Sequence, residues 1–171
     1  KINIKDIVIP CVDESSLKND LDMDKLHQSL SKILPIAEEK NIYINLETDL
    51  QPLKLYDLIS NFNSSNIKIN YDSGNSSSLG YDINEEFELY GSYISDVHIK
   101  DRKLNGESVT LGSGDADIKQ LLNLIYTYNL EKNIIMQAFR EYDYIADINS
   151  VKKQKKYLED LINEVNNDKE I

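Results

Sequence analysis

Residues 42–72 read IYINLETDLQPLKLYDLISNFNSSNIKINYD, two short apolar runs with a helical stretch between them. In the first run Ile42, Ile44 and Leu46 alternate with Tyr43, Asn45 and Glu47; in the second Ile67, Ile69 and Tyr71 alternate with Lys68, Asn70 and Asp72. That period of two is the mark of a strand. Across residues 53–62, Leu55, Leu58, Ile59 and Phe62 recur at helical spacing. Strand, helix and strand in succession make a βαβ unit, whose strands run parallel and whose crossover is right-handed.

The same alternation extends to both ends. Upstream, residues 7–11 (IVIPC) read as a strand, and residues 23–40 place Leu26, Leu30, Ile33, Leu34 and Ala37 on one helical stripe, with Pro35 as a point of kinking or splitting. Downstream come a helix over residues 83–90, a strand over 95–100, a helix marked by Ile118, Leu121, Leu122 and Ile125, and a strand over 133–137. A closing helix over residues 151–165 buries Leu158, Leu161, Ile162 and Val165, and the tail 166–171 is expected to fray. Each strand has one apolar and one polar face. An open sheet covered by helices on both sides reads as continuous Val, Ile and Leu, whereas a barrel can be apolar toward its helices and polar toward a functional interior. The fold expected is therefore α/β, a parallel (β/α) TIM-barrel type with five of eight βα units. The 171 residues are read as a single domain spanning 1–171. The expectation is that three N-terminal βα units are missing, or that a partner completes the barrel; homo-oligomerisation stays open.

Composition narrows the partners. A net charge of −11 repels a phosphate backbone, so nucleic acid is not expected, and the run Lys152, Lys153, Lys155 and Lys156 reads as the solvated face of the last helix. Cys11 is the only cysteine, which rules out an intramolecular disulfide and a cysteine metal cluster and fits a reducing, cytoplasmic setting. No apolar run approaches the roughly 20 residues needed to span a bilayer, so no membrane partner is expected. His27, on the first helix, reads as a surface residue.

Four of the apolar runs end on a polar residue of the same strand parity: Glu47, Asp72, His98 in DVHIK and Gln137 in IIMQ, spaced 25, 26 and 39 residues apart. Residues placed last in a barrel strand lie at the C-terminal mouth, where barrel active sites are built. Two carboxylates, an imidazole and an amide converging there suit one divalent ion, with Mn²⁺, Mg²⁺, Co²⁺ and Zn²⁺ all compatible.

The stretches INLETD, NYDSGNSSSLGYD, DVHIKDR, ESVTLGSGDADI and IIMQAFR together resemble the C-terminal five-eighths of the xylose isomerase-like TIM barrels, the sugar phosphate isomerase/epimerase superfamily that also includes apurinic endonuclease IV. The resemblance implies that Glu47, Asp72 and His98 are metal ligands, with Gln137 where most members carry a glutamate. In epimerases of this superfamily two glutamates face each other across the substrate, one removing a proton and the other returning it. An amide carries no proton at ordinary pH, so Gln137 departs from that scheme. The endonuclease has histidines where this chain has Asn75 and Val109, so second and third metals and DNA repair are not implied.

Three further features bear on substrate. Gly112 and Gly114 in LGSGDAD give flexible backbone whose amides could hold an anion or hydroxyl; the alternative is a plain loop with Asp115 or Asp117 capping the next helix. Lys100, Arg102 and Arg140 are cations near the mouth of an acidic protein, suited to a phosphorylated or carboxylated sugar or else to surface salt bridges. DSGNSSSLG, rich in small residues, reads as a mobile loop. The candidate catalytic set is Glu47, Lys100 and Gln137, and the candidate substrate contacts are Asn45, Asn75, Lys100, Arg102, Gly112, Gly114 and Arg140. The function expected is a divalent-metal-dependent isomerase or epimerase of a sugar or sugar phosphate. A barrel altered in catalysis that serves as a sugar-binding or scaffold subunit, and a metal-dependent hydrolase or lyase, are the alternatives.

Overall fold

Strand β1 (Asp6–Cys11) leads into helix α1 (Asp20–Lys40), then β2 (Tyr43–Thr48), α2 (Pro52–Ser60), β3 (Ile67–Asp72), α3 (Ser73–Leu79), α4 (Ile83–Tyr90) and β4 (Ile94–Ile99). A short hairpin of β5 (Asp101–Arg102) and β6 (Ser108–Val109) precedes α5 (Ile118–Thr127), β7 (Ile134–Met136) and α6 (Tyr144–Asn167). The computed structural model describes residues 4–130, 134–141 and 143–169. Five strands form one parallel sheet in the order β1-β2-β3-β4-β7, so each crossover reaches the next strand along, as in the wall of a TIM-type barrel.

Local chemistry sets the helix ends. Asn19, Asp82, Asp117 and Asp143 each accept a backbone N–H at the start of α1, α4, α5 and α6. Asn41 closes α1 in the left-handed conformation, and the helix is continuous through Pro35. The core lies between the helices and one face of the sheet: Ile44, Leu46, Ile67, Ile69, Val97 and Ile99 pack against Leu30 and Leu34 of α1, Leu58 and Ile59 of α2, Phe87 of α4, and Leu121 of α5. The opposite face carries Asn45, Glu47, Asn70, Asp72 and His98, all buried.

The register between β3 and β4 decides where the histidine points. Ile69 pairs with Ile94, but Asn70 pairs with Asp96, so Ser95 is an extra residue and Asp72 comes to lie opposite His98. Without that shift Asp72 would face Val97, and the imidazole would turn into the hydrophobic core.

Four expectations are corrected. Residues 73–79 form a helix, not a mobile loop: Asp72 caps it through the Asn75 amide, Gly80 ends it at φ +74°, and Ser73, Gly74, Asn75, Ser76 and Ser78 are buried. Small side chains serve close packing here, because a Cβ on Gly74 would sit 2.8 Å from Lys100 Cγ. Helix α6 begins at Tyr144 and runs to Asn167, into the tail expected to fray; Asp168 meets Lys119 at 3.4 Å, and Lys169 lies over the Tyr126 ring. His27 is half-buried, stacked on Phe62 at 4.5 Å. The strand expected over 133–137 is Ile134–Met136, and Asn133 lies outside the described residues.

Lys155 and Lys156 are exposed and pair with Glu159 and Asp160 one helical turn on. Among the described residues no helix is long and apolar enough to cross a membrane.

Candidate metal centre

Because β2, β3 and β4 are parallel and in register, the polar residues near their C-terminal ends converge. One ligand atom each from Glu47, Asp72 and His98 lies within 4.8 Å of the others, and all three residues are buried. Donor atoms about 2.0–2.2 Å from a common ion lie no more than about 4.4 Å apart, so the cluster is close to the size of one divalent cation. Gln137 follows β7, its backbone N–H donating to Ile99 O at 2.9 Å, and its Nε2 approaches His98 Nδ1 at 2.8 Å.

The hydrogen bonds within the cluster fix its polarity. Asn70 Nδ2 donates to Glu47 Oε2 at 2.9 Å and lies 3.1 Å from His98 Nδ1, and Asn75 Nδ2 donates to Glu47 Oε1 at 2.9 Å. Two amide nitrogens facing His98 Nδ1 assign it the role of acceptor, so its lone pair points at the carboxylates. Asp72 Oδ1 accepts the Asn75 backbone N–H at 2.8 Å, whereas Asp72 Oδ2 is buried with no hydrogen-bond partner among the described residues. A buried oxygen without a donor is costly, and a cation is the partner this set of atoms lacks. The residues present fit a single divalent ion.

Burial pushes the carboxyl of Glu47 above its usual range, and the charge of Asp72 adds to this; His98, the Asn70 hydrogen bond and Lys100 oppose it. Burial likewise raises Asp72, against the Asn75 amide, Lys100 and His98. The two anions therefore sit where protonation competes with any bound cation.

The other expected site residues fall into distinct places. Lys100 is half-buried, its stem against Gly74 and its charge felt by Glu47 and Asp72; Ser73 Oγ holds its backbone by accepting from its N–H and donating to its carbonyl. Asn45 is fully buried, donating to Asp6 and meeting Ser95. Arg102 meets Asn75 and the Gly106 carbonyl, and Arg140 is exposed beyond β7. The Gly112 and Gly114 amides donate to Asp101 Oδ2 at 2.9 and 2.8 Å, and the Ala116 amide to Oδ1 at 3.1 Å, so the anion held by this loop is internal. Asp117 caps α5, while Asp115 accepts from the Leu104 amide. A Cβ on Gly114 would come within 1.9 Å of Asp101 Oδ1 and 2.7 Å of the Arg102 carbonyl. Gly114→Ala is expected to cost about 1–3 kcal/mol in a denaturant titration, and an unchanged midpoint would contradict that close packing.

Sequence reasoning passed over Asn70 and Asp101. Asn70 shares the parity of Asp72 two residues away, a signal that was present in INYD. Asp101 shows its role only when the loop folds back onto it.

A family model described as xylose isomerase-like TIM barrel matches residues 4–161. The chain belongs to that family. Among solved structures in the family's fold, a xylose isomerase domain protein from Planctomyces limnophilus superposes with a TM-score of 0.75 at 21% identity, over 94% of this chain and 61% of that one. The IOLI protein with a binding zinc atom gives 0.76 at 20% identity, covering 95% and 64% of the two chains. A D-tagatose 3-epimerase-like protein gives 0.69 at 22% identity, covering 94% and 64%. This chain thus spans less than two thirds of each of these xylose isomerase-like barrels. No curated protein matches it.

Proposed function

We propose that this chain carries the metal centre of a divalent-metal-dependent isomerase or epimerase acting on a sugar or sugar phosphate. The observation that carries the reading is the buried Glu47, Asp72 and His98 cluster with its partnerless Asp72 oxygen. Similar folds named as a D-tagatose 3-epimerase-like protein and an L-ribulose 3-epimerase, and the zinc atom in the IOLI structure, lend support. Glu47, Asp72 and His98 would hold the ion and Gln137 would be a neutral fourth ligand; Mn²⁺, Mg²⁺, Co²⁺ and Zn²⁺ all suit mixed oxygen and nitrogen ligation. When bound, such an ion polarises a substrate carbonyl and so acidifies the neighbouring C–H.

The chain's own groups supply the proton chemistry. Glu47, its carboxyl raised by burial, takes the proton from the carbon beside the carbonyl. Returning it to the adjacent carbon on the same face gives isomerisation. Epimerisation needs an acid on the other face; Gln137 cannot be that acid, so the role falls to Lys100. Lys100 and Arg140 orient the substrate, and a cytoplasmic setting belongs to the same reading.

Stoichiometric divalent metal by elemental analysis and incorporation of solvent deuterium into a ketose or aldose are the expected results, both lost in Glu47→Gln. The presence of Gln137 favours one second reading, a barrel that binds sugar without turning it over, for which binding without deuterium uptake is the mark. Product formed without solvent exchange would point to lyase or hydrolase chemistry.

A further inference from the structure

Arg102 and Asn75 touch each other and the cluster in an order that leaves little freedom. A guanidinium has donors only. Arg102 Nε and Nη2 donate to the Gly106 carbonyl at 3.1 and 2.9 Å, and Nη1 donates to Asn75 Oδ1 at 3.2 Å. With its oxygen turned to Arg102, the Asn75 amide has only N–H to offer on its other side, and it donates to Glu47 Oε1 at 2.9 Å. The backbone N–H of the same residue donates to Asp72 Oδ1 at 2.8 Å.

We infer that Arg102 and Asn75 are positioning residues of the metal centre, a relay that runs from the β5–β6 hairpin to the carboxylates of Glu47 and Asp72, and are not contacts for substrate. The inference rests on the reading of Glu47, Asp72 and His98 as ligands. Asn75 on Oε1 and Asn70 on Oε2 fix the plane of the Glu47 carboxylate, and each oxygen keeps a lone pair free. Neutral amides do this without placing a cation against the carboxylate, where it would compete with the ion. Arg102 stays outside the contact and acts by choosing which end of the amide faces inward. Lys100 and Arg140 are then the cations left to meet a substrate.

The test is Co²⁺ binding, followed by calorimetry and by the Co²⁺ absorption band, in the full chain and in Arg102→Gln, Arg102→Lys, Asn75→Leu and the Arg102→Gln/Asn75→Leu pair. Circular dichroism confirms which variants are folded. Arg102→Gln and Asn75→Leu are each expected to weaken Co²⁺ about 10–100-fold and to shift the band. The pair is expected to be no weaker than Asn75→Leu alone within about 2-fold, because the two residues act in series. Arg102→Lys keeps one donor and is expected to fall nearer the parent, which preserves the test if Arg102→Gln does not fold. Unchanged Co²⁺ affinity in folded Arg102 and Asn75 variants, or losses that multiply in the pair, would overturn the relay; so would lost sugar phosphate binding at unchanged Co²⁺ affinity, which marks a substrate contact. Should the parent chain take up no Co²⁺, the metal reading itself fails and the relay with it.

Discussion

Asp72→Asn is expected to weaken divalent-ion binding by at least about 100-fold and, in the metal-free protein, to raise stability. Outer hydrogen-bond partners of metal ligands are each worth about 10–100-fold in affinity, so removing a ligand charge sets that as a floor. The asparagine keeps the oxygen that caps α3 through the Asn75 amide, so the helix start survives. What changes is the buried, partnerless Oδ2, which becomes an amide that binds no cation. The pH dependence follows from the raised carboxyl values. Asp72 and Glu47 have folded pKa values above their unfolded ones, about 4, so the folded state holds more protons between the two values. Their contribution is present below the unfolded value and is lost as pH rises through the folded one. Metal-free parent protein should therefore lose stability on going from mildly acidic to neutral pH, and Asp72→Asn should lose less. Added metal reverses the order, since a ligand at 100 times its Kd contributes about 2.7 kcal/mol to the parent and nothing to the variant. Urea titrations at two pH values, with chelator and with Co²⁺, measure all of this. Equal Co²⁺ affinity in the two proteins would remove Asp72 from the centre.

Glu86→Ala is expected to destabilise the fold by about 3 kcal/mol or more while the folded fraction still takes up metal. Glu86 is 2% exposed and sits behind the cluster, where Tyr71 Oη donates to it at 3.0 Å, Tyr90 Oη at 2.6 Å, and Ser76 Oγ joins them. Burial raises its carboxyl above the usual range, opposed by those three hydroxyls, and it drives the Tyr90 hydroxyl far upward in turn. Truncation leaves three buried donors with no acceptor, each costing about 1–3 kcal/mol, less whatever rearrangement recovers. Glu86→Gln, which keeps an acceptor oxygen, should fall well short of the alanine loss. An alanine variant within about 1 kcal/mol of the parent would mean that water or neighbouring groups satisfy the hydroxyls.

How far the sequence could be read depended on whether a residue's role was periodic or relational. Strand β3 and helix α4 lie at the bounds their periodicity predicts, and the parity of Glu47, Asp72 and His98 is enough to put them on one face. Helix α3 was not legible, since Ser, Gly and Asn score as loop while the stabilising terms are the Asp72 cap and close approach to Lys100. The β5–β6 hairpin is two residues per strand, too short for any period to show. Arg102 and Gly114 look like a free cation and a free loop in sequence because the groups that occupy them, Asn75 and Asp101, are distant in the chain or reached only by folding back.

The extra residue at Ser95 gives β4 an unusual sensitivity to length. Conservative side-chain exchanges along this strand can be absorbed one at a time, but an in-frame codon deletion there would rotate everything after it by half a pleat, sending an imidazole among leucines and isoleucines and a valine toward the carboxylates. Inheritance of this chemistry thus constrains the count of residues between Ile94 and His98 as tightly as their identity, and gaps in that interval separate descendants that kept the centre from those that could not.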